Sequence, residues 1–187
     1  MASIAHPKLT EEQYLEFERA AEFRNEFLDG EIIDMSGASL EHATLQGNLY
    51  FEVRSGVRLD CQAFTAGLRV KVARKMHAYP DVLVVCGNPL LADEHQDEVL
   101  NPAAIFEVLS PLTEKYDRGL KFKHYATIEA LQDYVLIDQN EMRVEQFTRR
   151  SDGRWTYRVY QGPDEELPID SIGASIPLRR IYARIDL

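Results

Sequence analysis

Two short runs constrain what this chain can fold into more than anything else in it: D-V-L-V-V-C at 81–86 and A-A-I-F-E-V-L at 103–109. Both are almost continuously apolar rather than alternating, which is the pattern of a strand buried on both faces at the centre of a sheet. The segment D-Y-V-L-I-D at 133–138 follows the same pattern. Charges inside such runs are the informative residues, because burying a carboxylate is costly unless it is paired or coordinated. Asp81 opens the first run and Glu107 interrupts the second. If these strands are neighbours, two carboxylates converge at one place in the sheet. They then raise each other's pKa unless a cation lies between them, and hard oxygen ligands suit Mg2+ or Mn2+. Plainer readings stand beside this one: Asp81 as a solvated strand-entry residue after Pro80, and Glu107 as half of a buried ion pair with an arginine.

The rest of the chain supplies what a central sheet needs around it. Residues 10–21 read as a short amphipathic helix, with Thr10 as N-cap, Glu11 and Glu12 in the first turn, and Tyr14, Phe17 and Ala21 on its apolar stripe. Asp29-Gly30 between two runs is a strong hairpin signal. Ser39 caps a second helix reaching Gly56, with His42, Leu45, Leu49 and Val53 on one face. Residues 61–66 and 67–73 read as strands, and the polar, acidic L-A-D-E-H-Q-D-E-V-L as a flexible insertion. A helix over 113–128 places Asp117, Lys121 and Tyr125 on one face at i, i+4 and i+8. M-R-V-E-Q-F-T and R-W-T-Y-R-V-Y, joined by S-D-G-R, read as a final strand pair. The expected class is α/β (mixed α+β): a central mixed β-sheet flanked by helices, with an N-terminal helix and hairpin and C-terminal strands, in a single domain over 1–187.

Composition narrows the function classes. The 187 residues are 45% apolar and 28% charged with no low-complexity tract, as in a globular protein with a real core. No apolar run approaches the roughly 18 residues that cross a bilayer, and M-A-S-I-A-H-P-K-L-T-E-E-Q lacks the apolar core of an export signal. A cytoplasmic protein with no membrane partner is expected. Cys61 and Cys86, far apart and without C-x-x-C spacing, are expected to be reduced and buried. No G-x-S-x-G elbow or Cys/His pairing supports a serine or cysteine hydrolase. A net charge of −10 argues against a broad electrostatic grip on nucleic acid, so any phosphate chemistry must rest on a local site.

Several segments, in order, carry a family resemblance. They are E-F-L-D-G-E-I, a histidine entering the next helix, A-Y-P-D-V-L-V-V, I-F-E-V-L-S-P-L-T-E-K-Y-D-R-G-L-K-F-K-H-Y, and D-Y-V-L-I-D. Together they resemble the PD-(D/E)XK nuclease superfamily and, more closely, its Uma-type family of small restriction-endonuclease-like proteins. The resemblance runs through most of the chain. It implies a restriction-endonuclease-like core and metal-dependent hydrolysis of phosphodiester bonds in nucleic acid, DNA foremost. It also implies that Asp81 and Glu107 are metal ligands for Mg2+ or Mn2+. The superfamily's lysine two residues beyond the glutamate is Leu109 here. The resemblance implies that Lys121, on the following helix, takes that role, while Lys123 projects from a different side.

Glu31 and His42 are likewise implied members of the site, Glu31 completing the acidic cluster and His42 binding a ligand, orienting water or contacting phosphate. A satisfied core histidine and an exposed Asp117–Lys121 salt bridge are the plainer readings. Arg69, Lys71, Arg74, Lys75 and Arg118 are candidate substrate contacts or edge-strand guards. Tyr79, Tyr116 and Trp155 either stack bases or fill the core, and Ser110 either orients Glu107 or begins the helix turn. Two rival classes stay open: a catalytically inactive nuclease-fold protein kept for binding or assembly, favoured by Leu109 and the charge, and a metal-dependent hydrolase or binder of some other small molecule. Edge strands in the last third leave room for a homodimer.

Overall fold

The computed structural model describes residues 8–35 and 37–187. Residues 1–7, on which the absence of an export signal partly rests, lie outside them. In chain order the elements are α1 (Glu11–Ala20), β1 (Asn25–Leu28), β2 (Glu31–Asp34), α2 (Leu40–Gly56), β3 (Cys61–Thr65), β4 (Arg69–Val72), β5 (Met76–Ala78), β6 (Val82–Cys86), β7 (Glu98–Val99) and β8 (Ala104–Leu109). Then come α3 (Glu114–Tyr116), a π-helical turn (Asp117–Lys121) and α4 (Phe122–Tyr125), followed by β9 (Asp133–Asp138), β10 (Arg143–Arg149), β11 (Trp155–Gln161), β12 (Glu166–Ile169), β13 (Ala174–Pro177) and α5 (Leu178–Ile181).

The three apolar runs are β6, β8 and β9, and they are the middle of a six-stranded sheet ordered β11-β10-β9-β8-β6-β3. It is mixed: β8 and β9 are parallel, and the other pairs are antiparallel. One face packs Val82, Val84, Phe106 and Val108 against Leu45, Leu49 and Val53 of α2 and the β12–β13 hairpin. The other face packs Leu83, Val85, Ile105 and Leu109 in a second apolar cluster with Tyr125 of α4 and with Val70, Met76 and Ala78 of a five-stranded sheet ordered β2-β1-β5-β4-β7. Strands apolar on both faces are thus apolar because both faces are covered. Among the described residues, no helix is long and apolar enough to cross a membrane.

Local chemistry sets several boundaries. Thr10 and Gln13 form a reciprocal capping box at the start of α1. Asp29 and Gly30 both have positive φ (48° and 96°), the backbone that a tight two-residue hairpin turn requires. Ser39 accepts the His42 N–H at the start of α2.

Four expectations are corrected. The buried face of α1 is Glu11, Tyr14 and Glu18, while Phe17 is 47% exposed; α1 docks through ionic and hydrogen-bonded groups rather than through an apolar stripe. The supposed flexible insertion contains β7, parallel to β4, with Val99 buried in the second apolar cluster and Glu98 buried against Arg69, its ladder partner, which supplies the counter-charge. Cys61 and Cys86 face each other across β3 and β6 and are joined as a disulfide, a register their 25-residue separation does not reveal. The helix expected over 113–128 is three consecutive pieces, with a widened turn at its centre.

Truncating Leu49, fully buried between α2 and the sheet, should cost about 2–5 kcal/mol, whereas Phe17→Ser should change stability by no more than about 0.5 kcal/mol. Urea unfolding of the two variants checks both.

Candidate functional site

The pairing of β6 with β8 sets Val82 opposite Phe106, so one step further along Asp81 meets Glu107. The two carboxylates clasp each other's strands. Asp81 accepts the Val108 N–H through Oδ2 at 2.8 Å, and Glu107 accepts the Asp81 N–H through Oε2 at 3.3 Å. Two residues one turn apart on α2 reach Asp81 Oδ1 from the other side: His42 Nε2 at 3.1 Å and Gln46 Nε2 at 3.1 Å.

Lys121 enters from the widened helical turn and is 5% exposed. Its Nζ lies 3.1 Å from Glu107 Oε1, 3.1 Å from Glu26 Oε1 and 3.3 Å from Asp117 Oδ1, and 5.3 Å from the centre of the Tyr116 ring. Glu26 also accepts the Tyr79 N–H at 3.0 Å, and the Tyr125 hydroxyl donates to Glu107 at 3.5 Å. Leu109 lies in the apolar cluster on the Glu107 side of β8, and the ammonium approaches Glu107 from the helix instead.

Four carboxylates therefore share one lysine and one histidine. Burial drives Glu107 well above its usual range; Lys121 opposes this, and Asp117, Asp81 and Glu26 reinforce it. Burial also raises Glu26. Burial alone would lower Lys121, but Glu107, Glu26 and Asp117 outweigh it and hold the ammonium charged. For His42, burial disfavours the charged form and the bond to Asp81 overcomes it, so the imidazole titrates above its ordinary value.

These groups line a pocket of about 370 Å³. It opens where the parallel strands β8 and β9 end side by side, the usual place for a ligand on such a sheet. Its walls include the N-terminal end of α2, the segment Ser110–Thr113, Tyr116 and Gln139. Among the described residues, no three His, Cys, Asp or Glu side chains are disposed to hold an ion by themselves. A metal here would be held by two carboxylates and by water, which is how Mg2+ is commonly bound.

Of the residues expected from sequence, Asp81, Glu107, Lys121 and His42 come together. Glu31 does not: it sits exposed on edge strand β2 beside the turn, paired with Leu28 and absent from the pocket wall. Glu26, on the inner arm of that hairpin, occupies the place expected for it; β1 pairs on both sides, which buries its residues. The expected substrate cations are elsewhere. Arg69 is buried against Asp97 and Glu98, Lys71 and Arg74 face Glu11, and Arg118 faces Glu114 and Glu145. Lys75 and Lys123 are absent from the pocket wall, and Lys123 is exposed. Tyr79 and Tyr116 both line the pocket, Tyr79 flanked by Arg24 and Arg69, whereas Trp155 packs on Phe122 and Arg149 away from it. Ser110 begins the turn into α3 by accepting the Thr113 N–H. Asp117 and Gln139 also line the pocket, and helical spacing on the Lys121 face was the signal for Asp117.

The fold is a mixed α/β architecture of nuclease-like type. It superimposes with a TM-score of 0.78 on a crystal structure described as "a putative nuclease belonging to DUF820" from Anabaena variabilis, at 20% identity and over 94% of this chain and 98% of that one. Residues 11–179 match the family described as "Uma2: Putative restriction endonuclease", and the chain belongs to that family. Two uncharacterized proteins of Synechocystis are similar: one is 37% identical over 85% of this chain and 91% of its own length, the other 34% over 96% and 94%.

Replacing Lys121 by Met leaves Glu26, Glu107 and Asp117 without their ammonium. A carboxylate whose folded pKa lies above its unfolded one contributes stability at low pH that is lost as pH rises through the folded value. The variant's deficit should therefore be smallest near about pH 5 and grow to about 3–5 kcal/mol by about pH 8. Urea unfolding at both pH values should reveal the difference, and a pH-independent deficit would count against this charge balance.

Proposed function

We propose that this protein is a Mg2+- or Mn2+-dependent nuclease that hydrolyses phosphodiester bonds, with DNA as its substrate. The observation that carries the reading is the convergence of Asp81, Glu107 and Lys121, from two strands and a helix, on one pocket, with Lys121 Nζ 3.1 Å from Glu107. The donor set fits a hard divalent cation: Asp81 and Glu107 offer carboxylate oxygens to one pocket, with Glu26 and Asp117 beside them. Asp81 and Glu107 would hold it. When bound, such an ion polarises a phosphoryl oxygen and makes a neighbouring water more acidic.

The protein's own groups do the rest. In the net reaction water adds to phosphorus, the P–O ester bond breaks, and a phosphate monoester and a hydroxyl result. Lys121, kept charged by its carboxylates, presents fixed positive charge where negative charge develops. Tyr125 and Asp117 hold Glu107 and Lys121 in place. His42, hydrogen-bonded to Asp81, orients that carboxylate and faces the pocket. A second reading, a nuclease-fold protein that binds without cutting, draws on the pocket wall, where Lys121 is the sole lysine or arginine among the described residues.

Purified protein should nick or degrade DNA with Mg2+ or Mn2+ and stop with EDTA. Asp81→Asn, which keeps the shape and removes the charge, should lower cleavage by about two orders of magnitude while the thermal melt stays close to wild type. Undiminished cleavage in that variant would rule out the assignment. A melting temperature raised by Mg2+ without any cleavage would favour the binding protein.

A further inference from the structure

We infer that the pocket admits one unpaired nucleotide, with its base against Tyr116 and Gln139, so that the substrate is single-stranded or locally opened DNA rather than intact duplex. The inference rests on the nuclease reading for its chemistry, but the binding it describes can be tested alone. Two buried polar atoms on the pocket wall, the Tyr116 hydroxyl and Gln139 Oε1, lack any hydrogen-bond partner in the protein, and a third, Asp117 Oδ1, makes no hydrogen bond and faces the Lys121 ammonium at 3.3 Å. Buried polar atoms are nearly always satisfied, so such orphans around one cavity point to a ligand rich in donors and acceptors. A base edge is such a ligand, since it carries both within a few ångströms.

Size and surroundings agree. A cavity of about 370 Å³ lies at the small end of the roughly 300–1,000 Å³ typical of small-molecule sites. Glu107 and Lys121 are buried in it, so a phosphodiester reaches them only by leaving the outline of a regular double helix. Met35 and Leu112 line the pocket while exposed to solvent, Leu112 by 83%, and neither belongs to the buried core. Apolar surface of this kind receives the face of an unstacked base, and sequence-tolerant single-strand binding relies on such contacts. Duplex binding relies instead on several phosphate-neutralising cations. Arg69 and Arg118 are already committed to internal carboxylates and do not line the pocket.

The test is fluorescence anisotropy in Ca2+ with labelled strands of about 12 nucleotides, a length within the usual range for single-strand sites. Three probes are compared: a single strand, its duplex, and a strand carrying abasic positions. The single strand should bind at least about tenfold tighter than the other two. Tyr116→Phe and Gln139→Ala should each weaken it about two- to tenfold, leave duplex affinity unchanged and melt like wild type. Equal or tighter duplex binding, equal binding of the abasic strand, indifference to both substitutions, or no binding would each overturn the inference. Cleavage assays separate it from the nuclease reading. Single-strand binding without cleavage removes the nuclease reading alone, and equally rapid cutting of intact duplex removes this inference alone.

Discussion

The Lys121 ammonium is the interaction on which the arrangement depends. An isolated buried lysine would lose its proton or draw in water, because desolvation disfavours the charged form. Here it is held by Glu26 from the five-stranded sheet, Glu107 from the six-stranded sheet and Asp117 from the helix between them. One cation thus fixes the spacing of three elements that share no covalent neighbour at that point. Because the carboxylates outnumber it, Glu107 is held well above its usual range, and a further cation in the pocket would oppose that shift.

The same logic recurs some distance away. Arg69, fully buried, faces Asp97 and Glu98, while His77 lies between Glu98 and Glu11. This network fastens α1 to the five-stranded sheet and ties β7 to β4 and β5 within it. Several cations that the sequence leaves free to meet a polyanion are therefore spent on the protein's own acids. Part of the charge of −10 is internal architecture rather than an unbroken acidic surface.

What the sequence discloses follows from what each element buries. A carboxylate in a run that is otherwise apolar can be seen without a structure, so Asp81 and Glu107 were legible, and the spacing of Asp117, Lys121 and Tyr125 placed them on one helical face. Glu26 was hidden because a hairpin pattern does not say which arm pairs on its outer side. Glu26 and Glu31 lie on opposite arms of the Asp29-Gly30 hairpin, and the docking of β5 against β1 makes the Glu26 arm the inner one. Cys61 and Cys86 were hidden for the related reason that strand order is a property of the whole sheet. Likewise, the acidic stretch around Glu98 looks like solvent-facing loop until the buried Arg69 is known.

The π-helical turn at Asp117–Lys121 has a consequence for insertions and deletions. Such a turn closes by i→i+5 hydrogen bonds and so accommodates an extra residue compared with an α-turn. Each residue of an α-helix advances the direction of its side chains by about 100°. Adding one residue here, beside Gly119 for instance, would exceed what the widened turn absorbs and re-phase the helix: with Tyr116 kept on the pocket wall, Lys121 and Tyr125 would swing away from Glu107. Chain length across this turn is therefore under a constraint of its own, separate from the identity of any side chain in it.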